Sequence, residues 1–269
     1  MMGALAKRIS MATKVTRDGR IVLWEGASLW TFDVLPQGEQ RVNRMHTHHA
    51  FQLTLSAGGI ANIRTPDSLI EGPVILIGPD VPHAIEPEGR IALLFVEPES
   101  RAGARLRHLL GGVPIARLAP DPRFEQVLAR VWDAPAPLGA DVAGIGQEIL
   151  QHILGHEEAE AALDPRILRV LHWMEGRDGE SAALAEAARI ACLSPSRFSH
   201  LFVEQVGLPF RTFLLWRRLM RAVAQVSRGD SLTAAAHQAG FADSAHFSRT
   251  FHRMFGLPAA ALELARSDA

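Results

Sequence analysis

Phe198-Ser199-His200-Leu201-Phe202-Val203-Glu204-Gln205-Val206-Gly207-Leu208-Pro209 returns as Phe247-Ser248-Arg249-Thr250-Phe251-His252-Arg253-Met254-Phe255-Gly256-Leu257-Pro258, at an offset of 49 residues and with six identities in twelve positions. Self-similarity at one fixed offset marks a duplicated supersecondary unit. Each copy has the same grammar upstream: a small-residue helix (Leu184–Ile190; Leu232–Ala239), a short turn (Ala191-Cys192-Leu193; Gly240-Phe241-Ala242), and then Ser194 or Asp243 as the N-cap of another helix. The pattern predicts helix-turn-helix, twice. In the second helix of each copy Phe198, Leu201 and Phe202, and Phe247, Phe251, Met254 and Phe255, fall on one stripe and are assigned to the core. Pro209–Ser227, carrying Phe210, Phe213, Leu214, Leu219 and Val223, reads as a connecting helix of about 28 Å at 1.5 Å per residue.

The opposite face carries Ser196, Ser199 and His200 in the first copy and Ala245, His246 and Arg249 in the second, all near the helix N-terminus. A DNA-reading helix places its base-contacting side chains there. Arg bonds guanine O6 and N7 together, and His or Ser bonds base edges or phosphates. The plainer alternative is a solvated polar face, against which two copies on one stiff spacer weigh.

Residues from Pro165 on resemble the DNA-binding domain of AraC/XylS-type bacterial transcription regulators. The likeness is carried by Ser231-Leu232-Thr233-Ala234-Ala235-Ala236, Ala239-Gly240-Phe241-Ala242-Asp243, His246-Phe247-Ser248-Arg249-Thr250-Phe251 and Phe255-Gly256-Leu257-Pro258. It implies two helix-turn-helix units entering successive major-groove segments of double-stranded DNA, with the six positions above facing the bases. It also implies RNA polymerase as a partner if the protein activates. The first reading helix, read this way, offers no Arg, so a weaker or more phosphate-directed readout is expected of it.

The N-terminal half reads differently. Ile21-Val22-Leu23-Trp24, Phe51–Leu55, Val74–Ile77 and Ile91–Val96 are short apolar runs bounded by Gly and Pro turns, the pattern of a small antiparallel barrel or sandwich. Helical spacing follows from Arg101, in Phe124, Val127, Leu128 and Val131 and in Ile145, Ile149 and Ile153, broken at Pro135-Ala136-Pro137. The expected organisation is a tail (1–19), a β-rich sensor domain with C-terminal helices (20–155), a linker (156–164) and the double helix-turn-helix domain (165–269). The fold class is therefore multi-domain, an all-β barrel with flanking helices followed by an all-α domain. Gly144–Leu154 offers a stripe for a homodimer helix pair, or for ordinary packing inside the domain.

His46-x-His48-x3-Gln52-x6-Gly59 and Gly72-x10-His83 resemble the two motifs of the cupin superfamily, with Gln52 at the position of a Glu and Gly78 and Asp80 where Pro and Gly are usual. In that superfamily these positions face inward and hold a divalent metal. Three imidazoles and an amide oxygen suit a transition ion. Three readings stay open: a metal site, a metal-free pocket for a small-molecule effector, and a packed barrel.

Composition bounds the rest. With 269 residues the chain is about twice a typical domain, and 48% hydrophobic with 21% charged residues is ordinary globular composition. The single Cys192 excludes an internal disulfide and a Cys-only zinc site; its place in a turn suggests buried packing. The net charge is −1, yet residues 165–265 hold twelve Arg against eight Asp plus Glu, about +4. Neither a signal peptide nor about 20 consecutive apolar residues is found, which points to the cytoplasm and away from membranes. Two functions follow: a one-component regulator with an effector-sensing N-terminal half, or a metal-dependent cupin enzyme fused to a DNA-binding module. The first is favoured, because no second acid–base constellation accompanies the histidines, Glu71 and Glu86 reading as turn residues, and Tyr is absent.

Overall fold

The computed structural model describes residues 16–34, 43–86, 89–119, 122–133, 139–155, 163–175 and 183–264. β1 (Thr16–Trp24) and β2 (Ala27–Val34) form a hairpin at whose tip Gly26 takes a φ of 74°, a conformation open to glycine. β1 thus begins inside the stretch expected as a tail, of which residues 1–15 lie outside the described part. β3 (Phe51–Ser56), β4 (Ala61–Arg64), β5 (Leu69–Gly72), β6 (Val74–Ile77), β7 (Ala84–Glu86), β8 (Gly89–Val96) and β9 (Ile115–Leu118) complete two antiparallel sheets. Their orders are β1-β2-β8-β3-β6-β9 and β5-β4-β7.

The closed barrel expected from the sequence is thereby corrected to two separate sheets. β4, β5 and β7 have only three or four residues each and pair with one another, leaving no ladder to carry the sheet around into closure. Glu71 and Glu86, expected in turns, lie in β5 and β7, where Glu86 is buried and accepts a hydrogen bond from Arg64 Nε at 2.7 Å.

The six-stranded sheet is buried on both faces. Phe51, Leu53 and Leu55 of β3 point to a helical layer of α1 (Arg101–Leu110), α2 (Pro122–Asp133) and α3 (Gly139–Leu154), while Gln52 and Thr54, one residue out of phase, point into the space between the sheets. Ile145, Ile149 and Leu150 of α3 are buried in that layer, so the stripe that offered a dimer pair is occupied within the chain. Residues 134–138, with the Pro135-Ala136-Pro137 break, and most of the expected linker (156–162) lie outside the described residues.

α4 (Pro165–Met174) opens at Asp164, whose carboxylate accepts from the Arg166 backbone N–H at 2.9 Å and its guanidinium at 2.7 Å. α5 (Leu184–Ile190), α6 (Pro195–Val206), α7 (Phe210–Ser227), α8 (Leu232–Gln238), α9 (Ser244–Phe255) and α10 (Ala261–Leu264) follow. α5–α6 and α8–α9 are the two helix pairs, with Ser194 and Asp243 as side-chain N-caps of α6 and α9.

Their turns differ by one residue. Leu193 N–H bonds to Ala188 C=O in the first pair and Phe241 N–H to Ala236 C=O in the second, both at 2.9 Å. Ser194 then opens α6 at once, whereas Ala242 intervenes before Asp243. The offset is therefore 48 residues up to the turn and 49 beyond it. Cys192 (φ 56°) and Gly240 (φ 83°) fill the same left-handed position. Cys192 is exposed there, correcting the expectation of a buried packing residue: a left-handed residue in a two-helix turn points its side chain away from the core.

α7 serves two cores. Phe210 and Phe213 pack with Phe198, Phe202 and α4 residues Ile167 and Val170, whereas Trp216, Leu219, Val223 and Val226 pack with the second pair and with the inter-sheet face of the N-terminal half.

Candidate functional site

Of the six outward positions, Ser196, His200, Ala245 and Arg249 are exposed, and Ser199 and His246 half-buried. Ser199 donates its hydroxyl hydrogen to Pro195 C=O at 2.9 Å, leaving only its lone pairs for an outside donor. The His246 ring packs edge-on against Phe241 with centroids 5.2 Å apart, which holds its polar edge at the rim of α9. Behind these faces Phe198 and Phe202, and Phe247 and Phe251, are fully buried, as the stripe requires.

The structure adds a residue that the sequence reading passes over. Arg197 is exposed on the first turn of α6, three residues before His200. Under the 49-residue offset it is the counterpart of His246, as Ser196 is of Ala245 and His200 of Arg249. Applying the offset consistently would have found it, and the first reading helix does offer an Arg.

The second cluster lies at one end of the space between the sheets. His46 and His83 form an isolated antiparallel bridge, and His48 and Gln52 stand at the entrance to and on β3. All four residues are buried. One ligand atom from each of His46, His48 and His83 lies within 4.8 Å of the others. Each imidazole is tied the same way, with Nδ1 against a backbone carbonyl: His46 to Arg44 at 2.8 Å, His48 to Ala50 at 3.0 Å and His83 to Val81 at 2.8 Å. Those carbonyls can only accept, so Nδ1 carries the hydrogen and Nε2 keeps its lone pair in the neutral ring.

Gln52 Oε1 sits 3.0 Å from His48 Nε2 and 3.3 Å from His83 Nε2, while its Nε2 donates to Thr54 Oγ1 at 2.9 Å. Burial, and then the neighbouring His83, lowers the His46 pKa to about 4; the same causes push His48 well below its usual value, and burial lowers His83. Asp80, at the position where Gly is usual, takes a φ of 58°, and its N–H bonds to His48 C=O at 2.8 Å. His49, by contrast, faces Glu99 at 3.1 Å and the rings of Phe213 and Trp216, away from the other three.

The C-terminal half roofs this cluster. Phe255, the last residue of α9, stands 6.0 Å from His48, 5.4 Å from Phe95 and 4.8 Å from Trp30, ring centre to ring centre. Phe251 lies parallel to Trp30 at 6.1 Å. Asn43 Nδ2 donates to Phe255 C=O at 3.2 Å and Arg44 N–H to Gly256 C=O at 3.3 Å. Beside this contact burial, then the Glu99 carboxylate, pushes the Glu97 pKa up to about 7, against the opposing charge of Arg217 on α7.

A family model described as a helix-turn-helix domain matches residues 187–263. The transcriptional activator RhaS of Citrobacter koseri is 29% identical over 124 residues, 46% of this chain and 45% of that protein. The arabinose operon regulatory protein of Escherichia coli is 26% identical over 149 residues, 51% of this chain and 50% of that protein. Residues 187–263 are an AraC-family helix-turn-helix domain.

The chain spans about half the length of the curated relatives it matches. Beyond the AraC-family domain, the solved structure of ToxT from Vibrio cholerae O395 matches with a TM-score of 0.59 at 11% identity, covering 91% of this chain and 100% of that one. ToxT bound to an unsaturated fatty acid matches at 0.57 and 11%, covering 94% and 99%. The fold is therefore shared across both halves: a sheet-rich N-terminal region followed by the AraC-family helices. Among the described residues no helix is long and apolar enough to cross a membrane.

Proposed function

We propose that the chain is a cytoplasmic, sequence-specific DNA-binding transcription regulator and not an enzyme, with its N-terminal half binding an effector at His46, His48, Gln52 and His83. The reading is supported by two helix pairs, α5–α6 and α8–α9, joined by one unbroken helix, each with polar residues exposed at the N-terminal end of its second helix. Ser196, Arg197, Ser199 and His200 form one reading surface and Ala245, His246 and Arg249 the other. α7 spans about 27 Å at 1.5 Å per residue, so the reading helices would meet two major-groove segments about one turn apart, with RNA polymerase as the further partner of an activator.

ToxT, a protein of similar fold, has been solved bound to an unsaturated fatty acid, which supports a small-molecule effector for a chain of this fold. An enzyme reading finds less support: among the described residues no carboxylate joins the three histidines, leaving the cluster without a general acid or base besides its own buried imidazoles.

The test is selection of genomic DNA fragments followed by spacing variants of the recovered site. Inserting about five base pairs between the two elements rotates one to the opposite face of the duplex, and about ten restores the face beyond the reach of α7, so both should drop binding to the nonspecific level. Unchanged affinity with the five-base-pair insertion would end the bipartite reading.

A further inference from the structure

The internal repeat extends beyond the two helix pairs. At the 49-residue offset the buried Ile167, Val170 and Met174 of α4 fall on Trp216, Leu219 and Val223 of α7, all buried as well. After the pairs, the buried Phe210 and Phe213 fall on the buried Ala259 and Leu262. Residues 165–213 and 214–262 are therefore two consecutive copies of one 49-residue unit, the offset slipping to 48 across α5 and α8. α7 closes the first copy and opens the second. A shared core accounts for the apolar matches, which differ in residue type. It does not account for Arg169 and Arg218, the one identity between the opening helices (165–174 and 214–223), which lies off the buried stripe of each.

Arg218 leans over the turn of the second pair. A Cβ added at Gly240, the left-handed residue of that turn, would stand 3.7 Å from Arg218 Nε. Gly240 is exposed, so the guanidinium crosses an open turn. That turn runs straight into the reading surface, because the next residue, Phe241, carries the ring on which His246 packs at 5.2 Å. Neighbouring Arg217 has its charge opposite Glu97 of the N-terminal half. Among the described residues neither Arg169 nor Arg218 forms an ion pair, and Asp164, whose charge Arg169 feels, is already bonded by Arg166 at 2.7 Å. A guanidinium without a carboxylate, at the rim of a DNA-reading helix, is matched to a phosphate. Phosphate contacts fix a protein's register on the duplex without reading its bases.

We propose that Arg169 and Arg218 are a matched pair of phosphate anchors, one beside the turn of each helix pair, which seat the two reading helices on the DNA backbone. This rests on the reading of both units as DNA-binding. Equivalent places on consecutive units of one length meet equivalent phosphates, about one helical turn of the duplex apart. Each anchor acts on any sequence alike, in contrast to Arg249.

The test uses the full chain with two probes, a selected genomic fragment and a random-sequence duplex of similar length, and reads affinity from about 50 to 200 mM salt. Losing one phosphate contact makes the slope of log affinity against log salt shallower by about 0.9, so the fall across that range becomes about 3.5-fold smaller. Arg169→Gln and Arg218→Gln should each do this on both probes. The double variant should do it twice over, by about 12-fold. Arg218→Lys should restore the slope, since an ammonium still holds a phosphate as a point charge.

The sharpest alternative is that Arg218 only braces the Gly240 turn. Arg218→Gln would then lower the melting temperature and leave the slope unchanged, which would overturn the proposal. Arg169 is exposed, so its variant keeps the test available if Arg218→Gln does not fold. A slope change confined to one of the two arginines would overturn the pairing, and a loss on the selected fragment alone would overturn the anchors in favour of base reading. Binding of neither probe by the parent protein sinks the DNA-binding reading beneath, whereas parent binding with unchanged slopes in both variants sinks this inference alone.

Discussion

The two helix pairs began as copies and now live in different surroundings. Phe202 of the first pair packs against Phe198, Phe210 and Phe213, all within its own half of the molecule. Phe251, its counterpart, lies flat on Trp30 of the N-terminal sheet, and a Cβ at Gly256 would strike Arg44 and His46 where one at Gly207 would meet nothing within 4 Å. The sequence repeat is thus conserved where it builds the pair and diverges in use where the pair meets a neighbour. The first copy packs within the C-terminal half, and the second is also part of the wall of the N-terminal half.

The most severe challenge to this contrast is truncation of the paired phenylalanines. Phe202→Ala and Phe251→Ala should each cost about 3–5 kcal/mol, the usual range for emptying a buried aromatic site. Only Phe251→Ala should also lower hydrogen-exchange protection in β2. Equal protection of β2 in both variants would mean that the second pair does not lean on the sheet.

Acid should separate the pairs as well. His46, His48 and His83 have folded pKa values below their unfolded value of 6.5, so the unfolded chain binds more protons as pH falls, and metal-free stability drops between pH 6.5 and about 4. At 1.36 kcal/mol per unit His46 alone contributes on the order of 3 kcal/mol. Glu97 acts with the opposite sign. Its folded pKa, raised from 4.5 to about 7, makes stability fall as pH rises across that interval, and Glu97→Gln should flatten that limb. Thermal unfolding against pH checks both; a flat profile from pH 7 to 4 in chelator-treated Glu97→Gln protein, where the opposing carboxyl is gone, would contradict the buried neutral imidazoles.

On DNA, Arg249→Ala should cost about 1–3 kcal/mol on the specific site with little loss on random sequence. Arg197→Ala measures whether the first pair reads as strongly as the second. If only Arg197→Ala loses random-sequence affinity, the first pair grips phosphate while the second reads bases, and the contrast extends to recognition.

The smallest effect concerns the turns. Cys192 and Gly240 share a left-handed backbone, so Cys192→Gly should stabilise the first pair by about 0.5–1 kcal/mol and Gly240→Ala destabilise the second by a similar amount. Denaturant midpoints for the two variants, moving in opposite directions, decide it.

Much of this was legible in the sequence for local reasons. Leu184–Ile190, the caps Ser194 and Asp243 and the span of α7 follow from helix periodicity and capping chemistry, which act over a few residues. β4, β5, β7 and β9 were not legible, because strands of three or four residues owe their shape to the ladder they join rather than to their own pattern. The histidines were found by spacing. Their common orientation was not, since it depends on the carbonyls of Arg44, Ala50 and Val81, and a backbone acceptor leaves no mark on residue identity. Nor could spacing reveal that Gly256, which reads as an ordinary helix stop, also makes room for His46.

α7 has a consequence for the nucleic acid as well. Its first turn is held in one core by Phe210 and Phe213 and the rest in another by Trp216 and Val223, with no glycine or proline between Phe210 and Ser227 at which it could bend. A regulator built this way is the stiffer partner, and any misfit in spacing falls on the duplex. Curving 20–30 base pairs costs roughly 1–6 kcal/mol, least where pyrimidine–purine steps unstack easily. The intervening base pairs, touched by no side chain, would then be selected for their pliancy.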